Sequence, residues 1–367
     1  MSLSSWDDFP VHQIAEPVRH VGTSDRNFYD RYYFNLHASS DELFLVLGLG
    51  QYPNLGVQDA FAVVRRGARH LVVRASRELG DRMDASVGPF RVDVLEPLRR
   101  LRVVLAPSEH PLSFDLTWTG AVPAFEEPRH YIRKHGRVLF DTIRFAQTGC
   151  WSGTLRIGGE TFTVTPDRWK GTRDRSWGVR PVGEPEPAGI RGAEGQMTGM
   201  WNYSPMQFDD HAIYYILNET DAGQRMLSEA VRVWADPARP PEWLGRPEYT
   251  HVLRSGTRMI ERSTIAFPHA PGGGLSVEVT PLTHCFITVG TGYGMEQDWR
   301  HGMYQGPLVV QGLEYVHDEI APLGQYGVVD HVARFAYQGR VGYGLHEHGF
   351  FGPFRKYGMM DGAAGAA

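Results

Sequence analysis

Asp174 stands in the run Gly171-Thr-Arg-Asp-Arg-Ser-Trp-Gly-Val-Arg-Pro181, which packs three arginines, one carboxylate and one tryptophan into eleven positions. A carboxyl group so placed has two possible uses. Kept protonated by burial, it is a proton donor. Held by neighbouring guanidiniums, it is ionised and only ties two sheets together. Arg173 and Arg175 favour the second use if they turn towards it, but adjacent side chains on a strand project to opposite faces. The run does not alternate apolar and polar residues as a plain strand would, and Gly171 and Gly178 permit sharp turns. It therefore reads as a buried or half-buried crossing, with Trp177 and Arg180 as candidate substrate contacts.

A cation developing on a substrate is stabilised by aromatic faces. The second half of the chain offers Trp201, Tyr203, Trp299 and Tyr304 for this. Tyr203 precedes Ser204-Pro205 and could donate to a ligand carbonyl, although a core tyrosine with a satisfied hydroxyl is commoner. In His346-Glu347-His348, strand alternation puts both histidines on one face and the glutamate on the other. A shared metal would need a third ligand, from His284, His317 or His331, and two imidazoles fall short of a zinc or iron pattern. No metal is assigned; His346 and His348 are read as ligand-contacting histidines and Glu347 as a candidate acid or base. Glu296, with Asp298 and Trp299, lies on a glycine-flanked loop where paired carboxylates could share acid–base work, although such loops are more often solvated.

Other chemistries find no footing in the motifs. There is no G-x-S-x-G elbow, H-E-x-x-H, Walker loop or G-x-G-x-x-G, so no nucleotide or other cofactor is expected. The net charge of −5 over 367 residues, with acids and bases interleaved, argues against nucleic-acid binding. No signal peptide and no apolar run near the roughly 20 residues of a membrane span is found, and a cytoplasmic location is expected. Cys150 and Cys285 read as packing residues rather than a disulfide framework. Nothing in the sequence indicates the oligomeric state.

The elements that must position these residues are mostly short strands. Forty-two glycines, 24 prolines and abundant aromatics, with strand-like runs at roughly 8–12-residue spacing, argue for sandwiches or barrels. Leu43–Gly50 is almost continuously apolar, as for a strand buried on both faces. Gly158-Gly159 between alternating runs predicts a two-residue hairpin. Residues 122–142 read as a loop with a short helix, and 328–336 as the one stretch with helical spacing. A Pro/Gly-rich linker is placed at 183–194. This gives an arm (1–24), a first β domain (25–182), a second β domain (195–355) and a flexible tail (356–367).

The motif Arg173-Asp-Arg-Ser-Trp-Gly-Val-Arg180 resembles the D-x-S/N-W-G-x-R signature of the lipocalin-like (calycin) superfamily that includes carotenoid hydratase (hydroxyneurosporene synthase), kievitone hydratase and lipocalin-like Diels–Alderases. Gly50–Asn54, Val87–Phe90, Val94–Leu98 and Leu345–Gly349 resemble uncharacterised actinobacterial members. The resemblance implies an all-β fold of two tandem lipocalin-like antiparallel barrels or sandwiches with few short helices and a ligand chamber between or within them. It places Asp174 where the hydratase acid stands; Arg175 departs from the hydratase pattern. The function expected is an enzyme, a hydratase or dehydratase, isomerase or cyclase, acting without cofactor on a hydrophobic terpenoid-, steroid- or polyketide-like molecule in an apolar barrel cavity. The alternative is a non-catalytic carrier of such a ligand.

Overall fold

The computed structural model describes residues 3–134, 136–182 and 198–366. The first strands in chain order are β1 (Phe28–His37), β2 (Phe44–Tyr52), β3 (Val57–Arg66), β4 (Arg69–Glu78), β5 (Ser86–Val87), β6 (Phe90–Glu96) and β7 (Arg100–Leu105). There follow β8 (Leu112–Gly120), β9 (Phe125–Glu126), β10 (His130–Lys134), β11 (Arg137–Ile157), β12 (Glu160–Val164) and β13 (Lys170–Val179). The second half supplies β14 (Gly199–Gln207), β15 (His211–Glu219), β16 (Arg225–Trp234), β17 (Glu242–Trp243), β18 (Glu248–Leu253) and β19 (Ile260–Phe267). It ends with β20 (Leu275–Phe286), β21 (Leu308–Val316), the helix α1 (His317–Gly324), β22 (Val329–Tyr337) and β23 (Arg340–Phe351).

Among the described residues these strands make two antiparallel sheets, one nearly closed into a barrel and one a half-barrel, so the fold is all-β with two barrel-like units. The first runs β21-β4-β3-β2-β1-β13-β11-β8-β7-β6-β5, and the second β17-β16-β15-β14-β23-β22-β20-β19-β18. β21 belongs to the second half in sequence yet pairs along its whole length with β4, from Leu308↔Arg77 to Val316↔Arg69. A division at 183–194 does not account for this crossing, and the linker expected there lies outside the described residues.

Three apolar layers follow from strand alternation. Phe34, Leu45, Leu47, Trp118 and Trp151 fill the first barrel, with the two indoles edge-on at 5.1 Å. Tyr215, Phe267, Phe335 and Phe350 fill the second unit. Tyr33, Phe44, Val46, Phe61, Val63, Tyr203, Val332 and Leu345 pack between the two sheets. β2 contributes to the first and third layers, and every one of its residues is buried.

Two local expectations are overturned. Residues 329–337 form a strand, not a helix. Val332 joins the layer between the sheets while Ala333 and Phe335 fill the second unit, so apolar residues at 329, 332, 333, 335 and 336 mimic helical spacing on a strand with apolar residues on both faces. Within 122–142, β9 and β10 pair with β11, and no helix forms among the described residues. The predicted hairpin is present, with Ile157 opposite Glu160 and positive φ only at Gly158. Both cysteines are free, and no helix among the described residues is long and apolar enough to cross a membrane.

Candidate functional site

The run around Asp174 is an uninterrupted strand, β13, hydrogen-bonded between β1 and β11. It lacks apolar–polar alternation because one face meets the first barrel and the other the second sheet. Gly171 is required by closeness: a Cβ there would sit 2.0 Å from the Asn35 carbonyl oxygen. Asn35 locks the register, its Oδ1 accepting from Thr172 N at 2.9 Å and its carbonyl from Trp151 Nε1 at 2.8 Å. Gly178, at φ +127°, holds a backbone conformation that side chains disfavour.

Pairing decides which way the charges point. Asp174 lies opposite Tyr33 and Ala146, both in the layer between the sheets, so its carboxyl faces that layer. Arg173 and Arg175 lie opposite Phe34 and Tyr32 and point the other way. Arg173 donates to Gln147 Oε1 at 2.8 Å; Arg175 covers the Tyr32 ring at 4.0 Å and pairs with Asp30 at 3.0 Å. The cation beside Asp174 is instead Arg144 on β11, with Nη1 4.0 Å from Oδ2. Arg144 is chiefly engaged elsewhere, giving its Nε–H to Glu127 at 2.6 Å and lying over the Tyr203 ring at 4.2 Å and Trp201 at 5.6 Å. Burial pushes the Asp174 carboxyl up to about 7; Arg144 opposes the rise, the charges of Glu127 and Glu347 add to it, and Arg180 opposes it.

The second sheet brings its own acids to this layer. On adjacent β14, β23 and β22, Tyr203 lies opposite Glu347 and Glu347 opposite Asp330, all on the face turned to the first barrel. Trp201 Nε1 donates to Glu347 Oε1. Tyr33 reaches across from β1 to donate its hydroxyl to Asp330 Oδ2 at 2.6 Å. Asp330 is fully buried, and burial first, then the Glu347 charge, hold it well above the usual carboxylate range. Glu347 stands directly opposite it on β23, and its charge adds to the rise. The result is a group of acids, Asp174, Glu127, Asp330 and Glu347, around one arginine and flanked by Trp201 and Tyr203. Such a group can give a proton from one carboxyl and receive one at another.

Of the residues singled out by sequence, Asp174, Glu347, Trp201 and Tyr203 meet here, and Arg180, over the Tyr29 ring at 4.3 Å, lies within their electrostatic reach. Trp177 is on the opposite face of β13, 38% exposed and edge-on to Phe145. His346 and His348 face into the second unit, away from Glu347; His346 Nδ1 bonds Ser204 at 2.7 Å, and His348 donates to the Arg258 carbonyl at 3.0 Å. Glu296, Trp299 and Tyr304 form a separate group at the β4 side of the first sheet. There Arg74 binds both Glu296 oxygens at 3.0 Å and lies over the Trp299 ring at 4.2 Å, and the exposed Tyr304 donates to Glu78 at 3.1 Å. Among the described residues no three His, Cys, Asp or Glu side chains are gathered as a metal site. Sequence reasoning missed Tyr33, Glu127, Arg144 and Asp330. Asp330 alone carried a signal, an acid inside an apolar run.

The comparisons with known proteins agree with this architecture. No curated protein sequence matches the chain. Among solved structures it is similar to an AttH-designated protein of Nitrosomonas europaea, at 12% identity and TM-score 0.55 over 93% of this chain and 98% of the other. It is also similar to kievitone hydratase of Nectria haematococca, at 13% identity and TM-score 0.52 over 90% and 93%. CghA, solved with Sch210972, aligns at 10% identity and TM-score 0.51 over 89% of each chain. At these identities the likeness is one of fold. A family model matches residues 3–360, and the chain accordingly belongs to the family of unknown function DUF8625.

Proposed function

We propose that the protein is an enzyme of the hydratase, dehydratase, isomerase or cyclase kind, acting by acid–base chemistry on a small hydrophobic molecule. The observation that carries this reading is the convergence, between the sheets, of a buried carboxyl pushed up to about 7 and a second acid pair on facing strands. In the hydration direction, Asp174 gives its proton to one alkene carbon, and water adds to the other. The water's surplus proton passes to Glu347, and a proton returning to Asp174 restores the site. Trp201 and Tyr203 supply aromatic faces to the developing cation. Asp330, fixed by Tyr33, positions Glu347. Isomerisation and cyclisation use the same opening proton transfer. Kievitone hydratase, with the same fold, is named for a reaction of this type.

The test begins with mass spectrometry of lipophilic molecules that co-purify with the protein, followed by incubation of the wild type and Asp174→Asn with those found. Conversion by the wild type and none by the variant is expected. Equal conversion by both removes Asp174 from the chemistry; tight binding without conversion by either makes the protein a carrier.

A further inference from the structure

A second group of ionisable side chains lies on the other face of β22 from Asp330. His331, 2% exposed, lines a cleft of about 170 Å³ with Arg254, Glu261, Thr283 and His284, and with Met259, Ile260 and Leu282 as an apolar wall. The hydrogen bonds around it assign the neighbouring imidazoles. Arg65 Nη1 donates to His284 Nδ1 at 3.1 Å, and a guanidinium only donates, so the His284 proton is on Nε2 and goes to His317 Nε2 at 3.0 Å. His348 gives its Nε2 proton to the Arg258 carbonyl. His346 is bonded to Ser204. Both ring nitrogens of His331 are left without a partner. A buried donor or acceptor in that state is unfavourable, so a ligand that bonds it is favoured.

The surroundings select the ligand. Arg65 hydrogen-bonds neutral groups, the Gly67 carbonyl and the ring and carbonyl of His284, with Asp318 within electrostatic reach. Arg254 stands exposed at the rim, and both guanidiniums act on His284. Against these two cations the lining holds the single exposed carboxylate Glu261. A cavity of about 150 Å³ accepts a benzene-sized molecule, so the cleft suits roughly six heavy atoms. We propose that it binds a small apolar carboxylate, whose head group takes the His331 N–H and the Arg254 guanidinium while its chain lies on Met259, Ile260 and Leu282. This site is independent of the acid cluster, and neither proposal rests on the other.

Butyrate and butan-1-ol, added to the full chain with its histidine rings labelled with ¹⁵N, provide the test. Butyrate should move the His331 ring signals saturably, with the alcohol at least about tenfold weaker. Arg254→Ala should weaken butyrate at least about fivefold and His331→Phe should abolish its binding. Equal binding of the alcohol, unchanged binding by Arg254→Ala, or no movement at His331 would overturn the assignment. Should His331→Phe fail to fold, the exposed Arg254→Ala decides.

Discussion

Asp174 is half-protonated near neutrality because its surroundings, not its immediate neighbours, set its charge. The arginines on either side in sequence point into the first barrel, and Arg144, the cation that opposes the rise most, is shared with Glu127. A carboxyl whose folded value lies near 7 and whose ordinary value lies near 3.8 binds its proton more tightly in the folded protein. Its ionisation therefore opposes folding: the penalty is absent below pH 4, grows as pH rises through 4–7, and is complete above that, at about 4 kcal/mol. Asp174→Asn removes it. The variant should unfold at higher denaturant than the wild type at pH 8 and at nearly the same denaturant at pH 4, while losing turnover. A variant less stable than the wild type at pH 8 would mean that the carboxylate is a structural ion-pair partner. Asp330 makes the opposite prediction for its partner: Tyr33→Phe takes away its hydroxyl donor in a buried place, and should cost about 1–3 kcal/mol in equilibrium unfolding. Full stability in Tyr33→Phe would show that bond to be idle.

The strands explain which of these residues a reader of the sequence can find. Asp174 and Glu347 sit in motifs with unusual composition, and alternation along β23 correctly sent Glu347 to one face and the two histidines to the other. Alternation also governs β13, where the charge-rich run was read as a crossing only because both of its faces are buried. The same double burial disguised β22 as a helix and with it hid Asp330. Arg144 and Glu127 come from β11 and the segment before β10, and only pairing across strands brings them to Asp174, so nothing local marks them. Glycine at 171 is a further element-level device. With its Cβ position 2.0 Å from the Asn35 carbonyl oxygen, Gly171→Ala must push β1 and β13 apart, shift Asp174 against Arg144, and cost roughly 1–3 kcal/mol. Hydrogen exchange should show faster exchange of the β1 and β13 amides in that variant; unchanged protection would show that the strands absorb the methyl group.

At the level of the whole molecule, one strand from the second half of the sequence completes the first sheet. β21, from the second half, covers the edge of β4, whose Leu71, Val72, Val73 and Ala75 are buried. The acid cluster likewise takes Tyr33, Arg144 and Asp174 from one half and Tyr203, Asp330 and Glu347 from the other. Residues 1–182 alone would therefore expose β4 from Arg69 to Glu78 as a bare edge with apolar flanks, which invites pairing with other chains. That fragment should run as oligomers or aggregate in size-exclusion chromatography. The same fragment extended by a Gly/Ser linker and residues 306–316 should recover a monomeric fraction, because the added strand restores the β4 partner without adding the second sheet. A monomeric, cooperatively unfolding fragment 1–182 would show that the crossing strand is dispensable. The two halves would then be independent barrels that meet only to build the site.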